Sequence, residues 1–282
     1  MLYTDLAIES AAMLKSTSKR HIPGISLEES RGSHQILTTK ITVTTKEASL
    51  QLHKPCGTYI TIETPELLSE ELSAAEATSE AIAAELRTLI PFHDRLKVLI
   101  AGIGNEKITP DALGPHTISK VRVTRHLFLT YEAESDSRMA NVSAIHPGVM
   151  AQTGIETADL IRRLIDLVHP EVLIVVDSLA ARELERMNTT IQITDTGIAP
   201  GAGTKNNRAH ITKETVGCRV IALGVPTVIH CQALLNDPEA PDMIVTATNI
   251  DQVIHQFSTV ISEALNRVLH PGLDDSERRS QQ

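Results

Sequence analysis

Two stretches decide how this chain folds: LKVLIAGIGN at residues 96–105 and EVLIVVDSLAAR at residues 171–182. Each opens on a run of β-branched and aliphatic residues, the composition of a strand buried on both faces. The first run stops at Gly102-Ile103-Gly104-Asn105, and Pro110 then opens a helix expected to reach about residue 123. The second run stops on Asp177 and is expected to pass into a helix over residues 179–187. Strand and helix in alternation imply an α/β protein: a three-layer α/β/α sandwich around an open, mostly parallel or mixed sheet.

Upstream, residues 36–44, 49–53 and 58–63 alternate apolar and polar side chains and are rich in β-branched residues. They predict a small antiparallel β piece near the N-terminus. A short helix is expected over residues 8–14. Thr64-Pro65-Glu66 has the form of a cap with Pro in the first turn, opening an Ala- and Glu-rich helix to about residue 90. Downstream, residues 155–168 and 249–269 have helical spacing, and residues 219–224 and 243–245 read as strands. With no internal repeat and no flexible linker, residues 1–282 read as a single domain with a frayed charged tail at 274–282.

Composition narrows the function. Only 2% of residues are aromatic and Trp is absent, so stacking platforms for bases are nearly missing, and the formal net charge is −9. Both argue against direct nucleic-acid binding. The three cysteines, Cys56, Cys218 and Cys231, are odd in number and show no CxxC spacing, which fits a reducing compartment. The N-terminus carries acids where a signal peptide needs bases, and no apolar run approaches the roughly 20 residues of a membrane span. A cytoplasmic location without membrane attachment is expected.

In open α/β sheets, sites form beyond the carboxyl ends of strands. Here two such ends each deliver an aspartate, Asp111 in Thr109-Pro110-Asp111 and Asp177. A close carboxylate pair holds one proton between them, and such a pair can act on a water as base and acid together. The alternative on pattern alone is structural: Asp111 as an early-turn acid favoured by the helix dipole, Asp177 as a helix N-cap. Ser178, with no GxSxG elbow around it, is expected to cap a helix. The glycine-rich GIAPGAG at residues 197–203 suits close backbone approach to a peptide or a surface loop. His146, His210 and His230 lack HExxH or paired-Cys spacing, so no metal site is expected.

Several ordered motifs carry a family resemblance. They are Gly102-Ile103-Gly104-Asn105 with Thr109-Pro110-Asp111-Ala112-Leu113-Gly114-Pro115, VRVTRHLF at 121–128, Pro147-Gly148-Val149-Met150 and Thr153-Gly154-Ile155-Glu156-Thr157. Val176-Asp177-Ser178-Leu179-Ala180-Ala181-Arg182, NTTIQITDTG at 188–197, Pro200-Gly201, Lys213-Glu214-Thr215 and Gly224-Val225-Pro226-Thr227-Val228 continue the series. Over roughly residues 3–275 the chain resembles the germination (spore) protease family.

The resemblance implies an atypical aspartic endopeptidase needing no cofactor, with a fold related to hydrogenase maturation endopeptidases. It further implies a zymogen that trims its own N-terminus, a homotetramer, and small acid-soluble spore proteins as substrates in the forespore and spore core. The family's two critical aspartates fall on Asp111 and Asp177. Thr4-Asp5-Leu6-Ala7-Ile8-Glu9 resembles the acidic-then-apolar site that the family cuts, which puts self-cleavage between Asp5 and Leu6 and a short propeptide at residues 1–5. Asp195, Gly201 and Gly203 are candidates to border the cleft. His146 and the pair His230-Cys231 depart from the family pattern, as does a short stretch at residues 234–243. Two other readings stay open: a metal-dependent maturation-type endopeptidase using the same carboxylates as ligands, and a binding protein that does not cut.

Overall fold

A computed structural model describes residues 4–17, 23–69, 71–130, 136–201, 208–274 and 277; Gly203 and most of the tail lie outside these. The strands are β1 (Ile25–Arg31), β2 (Leu37–Val43), β3 (Gly57–Glu63), β4 (Lys97–Gly102), β5 (Asn141–Ile145), β6 (Val172–Ala181), β7 (Thr190–Thr194), β8 (Arg219–His230) and β9 (Ile244–Val245). They form one sheet in the order β1-β2-β3-β7-β8-β6-β4-β5, with β9 paired to β8 beyond β7. Strands β8, β6, β4 and β5 run parallel, whereas β1, β2, β3 and β7 join them antiparallel. The expected antiparallel piece therefore extends the main sheet, because β7 bridges β3 to β8.

Alternation of side chains across β6 builds two cores. Val172, Ile174 and Val176 pack on one face beneath α3 (Leu72–Leu89), α4 (Leu113–Ile118) and α10 (Ile250–Leu269), with fully buried Phe257 among them. Leu173 and Val175 face the other side, against Ile161 and Ile165 of α7 (Thr157–Val168). Farther along that sheet, α1 (Ala7–Thr17) and α2 (Lys46–Leu52) cover Ile41, Val43 and Tyr59. Helices on both faces of a mixed sheet make the three layers that the alternation predicts.

Four expectations are corrected. The helix expected to open at Thr64-Pro65-Glu66 begins only at Leu72, after a 3₁₀ turn at Leu67–Ser69, and its N-cap is Glu71. Residues 49–53 lie in and just after α2 and form no strand: Thr45 caps the helix by accepting from Ala48 N, Ala48 and Leu52 are buried one turn apart, and His53 ends it at φ 55°. Residues 179–187 are not a helix. Strand β6 runs on to Ala181 beside an equally long β8, with a register shift between Leu179 and Ala180, and only Leu184–Arg186 form a 3₁₀ turn. Asp177 therefore lies inside a strand, and neither it nor Ser178 caps a helix. Finally, the helix opened by Pro110 divides into a 3₁₀ turn, Thr109–Asp111, and the short α4. Strands β1, β5 and β7 are additional to those expected.

Candidate active site

Strand β4 ends where Gly102 pairs with Val176, so Asp177 is the first residue of β6 to lie beyond its neighbour's end. By alternation its side chain stands on the α7 face. There it is 4% exposed and accepts a hydrogen bond from Ser178 N at 2.8 Å. The glycine-rich turn after β4 brings the second carboxylate to the same place. Ile103 N donates to Val176 O at 2.8 Å, and Asn105 N donates to Asp111 Oδ2 at 2.8 Å. Thr227 of β8 donates its hydroxyl to Pro110 O at 2.6 Å, anchoring the 3₁₀ turn that carries Asp111.

This approach explains the glycines. Gly104 has φ +121°, and a Cβ there would come 1.9 Å from Asp111 O. A Cβ on Gly114 would come 2.2 Å from Ile103 O and 2.6 Å from Val176 O. The Gly-Ile-Gly and Leu-Gly-Pro motifs are thus the two sides of one backbone contact that sets Asp111 beside β6.

Asp111 and Asp177 both line a cavity of about 460 Å³, along with Asp5, Asn105, Glu156 and Gly201. Burial pushes the Asp111 carboxyl up to about 6, against the Asn105 N–H and the neighbouring His146, which pull it down. Asp177 is raised well above the usual carboxylate range, by burial first and then by the charges of Asp111 and Asp5. Two raised acids lining one cavity are what proton exchange with a bound water requires.

The other expected residues divide. Gly201 borders the cavity, whereas Asp195 does not line it: its Oδ1 accepts from Thr58 N at 2.8 Å and fastens β7 to β3. Among the described residues, no group of three or more His, Cys, Asp or Glu is placed to hold a metal ion. Ser178 leaves its hydroxyl buried with no hydrogen-bond partner.

The N-terminal segment enters the site. Asp5 pairs with β6 through its backbone, Asp5 N to Ala180 O at 3.1 Å, and through its side chain, which accepts from Ala180 N at 2.8 Å. Leu6 is fully buried against Leu179 and Ala181. Gln192, inside the NTTIQITDTG motif at 188–197, and Lys54, which sequence reasoning missed, reach this segment. The available signal was Gln192 itself, a polar residue between Ile191 and Ile193 in a strand buried throughout.

Residues 3–240 match the family model described as germination protease. The chain belongs to the germination protease family. It is 36% identical to the germination protease of Caldanaerobacter subterraneus subsp. tengcongensis, covering 97% of this chain and 96% of that one. It is 34% identical to that of Clostridium perfringens over 96% and 95%, and 39% identical to that of Bacillus cereus over 83% and 65%. Among solved structures, a nickel–iron hydrogenase maturation protease from Thermococcus kodakarensis is similar at 15% identity, covering 64% of this chain and 98% of that one, with a TM-score of 0.36. Membership of the family makes this chain a peptidase. No helix of the described residues is long and apolar enough to cross a membrane.

Proposed function

We propose that this chain is an aspartic-type endopeptidase that begins the degradation of small acid-soluble spore proteins during germination. In this reading it is made as a zymogen, trims itself between Asp5 and Leu6, and works as a homotetramer in the spore core. Family membership supports the biological setting. The observation that carries the chemistry is the convergence of Asp111 and Asp177 on one cavity, where burial raises both and the Asp111 charge raises Asp177 further.

The two environments favour a division of roles. Asp111, partly exposed and hydrogen-bonded by Asn105 N, is the member that ionises first and takes a proton from water. Asp177, buried between two other acids, keeps its proton and delivers it to the amide nitrogen. The water oxygen bonds to the carbonyl carbon, the C–N bond breaks, and a carboxyl and an amine leave. The proton gained by Asp111 then passes to Asp177 and resets the pair. Activity rises with pH as Asp111 ionises near 6 and falls once Asp177 deprotonates, a bell-shaped profile of the coupled pair.

The test compares wild type with folded Asp111→Asn and Asp177→Asn on a purified small acid-soluble spore protein, with and without chelator. Loss of cleavage in both variants, with the chelated wild type active, is the expected result. Cleavage by either folded variant overturns the assignment, and loss on chelation turns the same carboxylates into metal ligands.

A further inference from the structure

Gln192, Gly224 and Asp177 form one row across three adjacent strands, since Gln192 pairs with Gly224 and Gly224 with Asp177. Ile191 and Ile193 point into the α3/α10 core, so Gln192 stands on the opposite face, the face of Asp177. Two strand spacings separate them, about 9–10 Å between Cα atoms. The middle position has no side chain, and a Cβ there would come 2.5 Å from Leu179 Cγ. The row is a saddle: a carboxyl on one side, an amide on the other, and a bare backbone between.

The Asp5–Leu6 segment lies against this saddle with its polar atoms sorted. The Asp5 carboxylate turns toward β6 and accepts from Ala180 N. The Asp5 carbonyl oxygen turns the other way and takes two donors, Lys54 Nζ at 2.9 Å and Gln192 Nε2 at 3.1 Å. The Gln192 amide cannot be reversed without loss, because its Oε1 accepts from Ala7 N at 2.7 Å. Lys54 is held in turn, its backbone N bonded to Ser49 O just past the end of α2, and its Nζ also reaches Thr4 O. Lys54 and Gln192 line a second cavity, which shares Asp5, Leu179 and Ala199 with the cavity of the acid pair. Burial lowers the Lys54 ammonium below its usual range, against the pull of Asp5 and Glu9. An ammonium donor and an oriented amide meeting on one carbonyl oxygen, at a residue that lines both cavities, form an oxyanion-type site.

We propose that Lys54 and Gln192 are the carbonyl-polarising residues of this peptidase, donating to the oxygen of the bond being cut. The proposal rests on the reading that Asp111 and Asp177 cleave Asp5–Leu6. When water adds to the Asp5 carbonyl carbon, the C=O electron pair moves onto that oxygen, and the two donors hold the negative charge. The pair returns as the C–N bond breaks, releasing Asp5 as a carboxyl group, which then gives its proton to solvent, and Leu6 as an amine. The same arrangement is consistent with the acidic-then-apolar site that the family resemblance implies: Asp5 bonds Ala180 N before the cut, and Leu6 packs on Leu179 and Ala181 after it.

The experiment follows self-trimming of the full chain by intact mass and N-terminal sequencing, in wild type, Lys54→Met and Gln192→Glu, the last keeping an acceptor for Ala7 N. Each variant is expected to slow trimming by about 100-fold, the usual effect of losing one oxyanion donor. Amide exchange at Asp5 and Ala7, measured in an Asp177→Asn background where the bond stays intact, is expected to remain slow in both. Wild-type trimming rates in the two variants overturn the proposal. Slow trimming accompanied by fast exchange at Asp5 and Ala7 also overturns it, since the residues would then only seat the segment. Asp111→Asn and Asp177→Asn run in parallel: if they trim normally, or if wild type never trims, the underlying site reading falls first.

Discussion

If Asp111 has the proposed role, a single residue ties chemistry to stability. Its carboxyl is raised from 3.8 to about 6 in the folded chain, chiefly by burial. A raised acid contributes stability fully below the unfolded value, and that contribution is lost as pH rises through the folded value. Above pH 6 the fold carries an ionised, partly buried carboxylate that an amide would relieve. Asp111→Asn is therefore expected to match the wild-type Tm at pH 4 and exceed it at pH 8, and Asp177→Asn to do so by more. Calorimetry at the two pH values decides this; a Tm difference independent of pH counts against it. Of the candidate site, both acids were legible because apolar runs in the sequence stop near them, although β6 itself continues to Ala181. Lys54 was not, since nothing local distinguishes a lysine that bonds a carbonyl 49 residues earlier from one in water.

Elements were legible where one period dominated. The strands at 98–101 and 172–176 and the helix at 250–269 stand out because their burial pattern is continuous or regular. Leu179-Ala180-Ala181 misled because Ala and Leu favour helices, yet β8 offers a full ladder of partners and tertiary pairing overrides propensity. In α2 the helix was missed because Ser49-Leu50-Gln51-Leu52-His53 alternates, while the deciding signals, the Thr45 cap and the Ala48–Leu52 pair, lie partly outside that window. Thr45→Ala is expected to cost about 1 kcal/mol in urea unfolding. Gly104→Ala acts differently: its Cβ would displace the backbone of Asp111, so under the proposed mechanism cleavage should fall at least about 100-fold, the usual effect of misplacing a catalytic group. Normal activity in a folded Gly104→Ala would show that the turn tolerates the shift.

At the scale of the whole molecule, a core almost without aromatic residues places unusual weight on one of them. Phe257 is fully buried in the layer that joins α3 and α10 to the sheet. Phe257→Ala is expected to cost about 3–5 kcal/mol, and a loss below 1 kcal/mol in chemical denaturation would mean that the layer collapses around the gap. The proposed tetramer is checked by light scattering, which should return four times the chain mass.

The pairing of Asp5 with Ala180 has a kinetic corollary. Tethered to α1, residues 4–6 meet β6 at an effective concentration set by geometry, and dilution leaves their occupancy unchanged. The proposed cut between Asp5 and Leu6 would change the molecularity of that equilibrium. What was first order becomes second order, so Thr4 and Asp5 can diffuse away and cannot return at low concentration. The contacts themselves need not weaken at all for the cavity to open, and the step runs in one direction only.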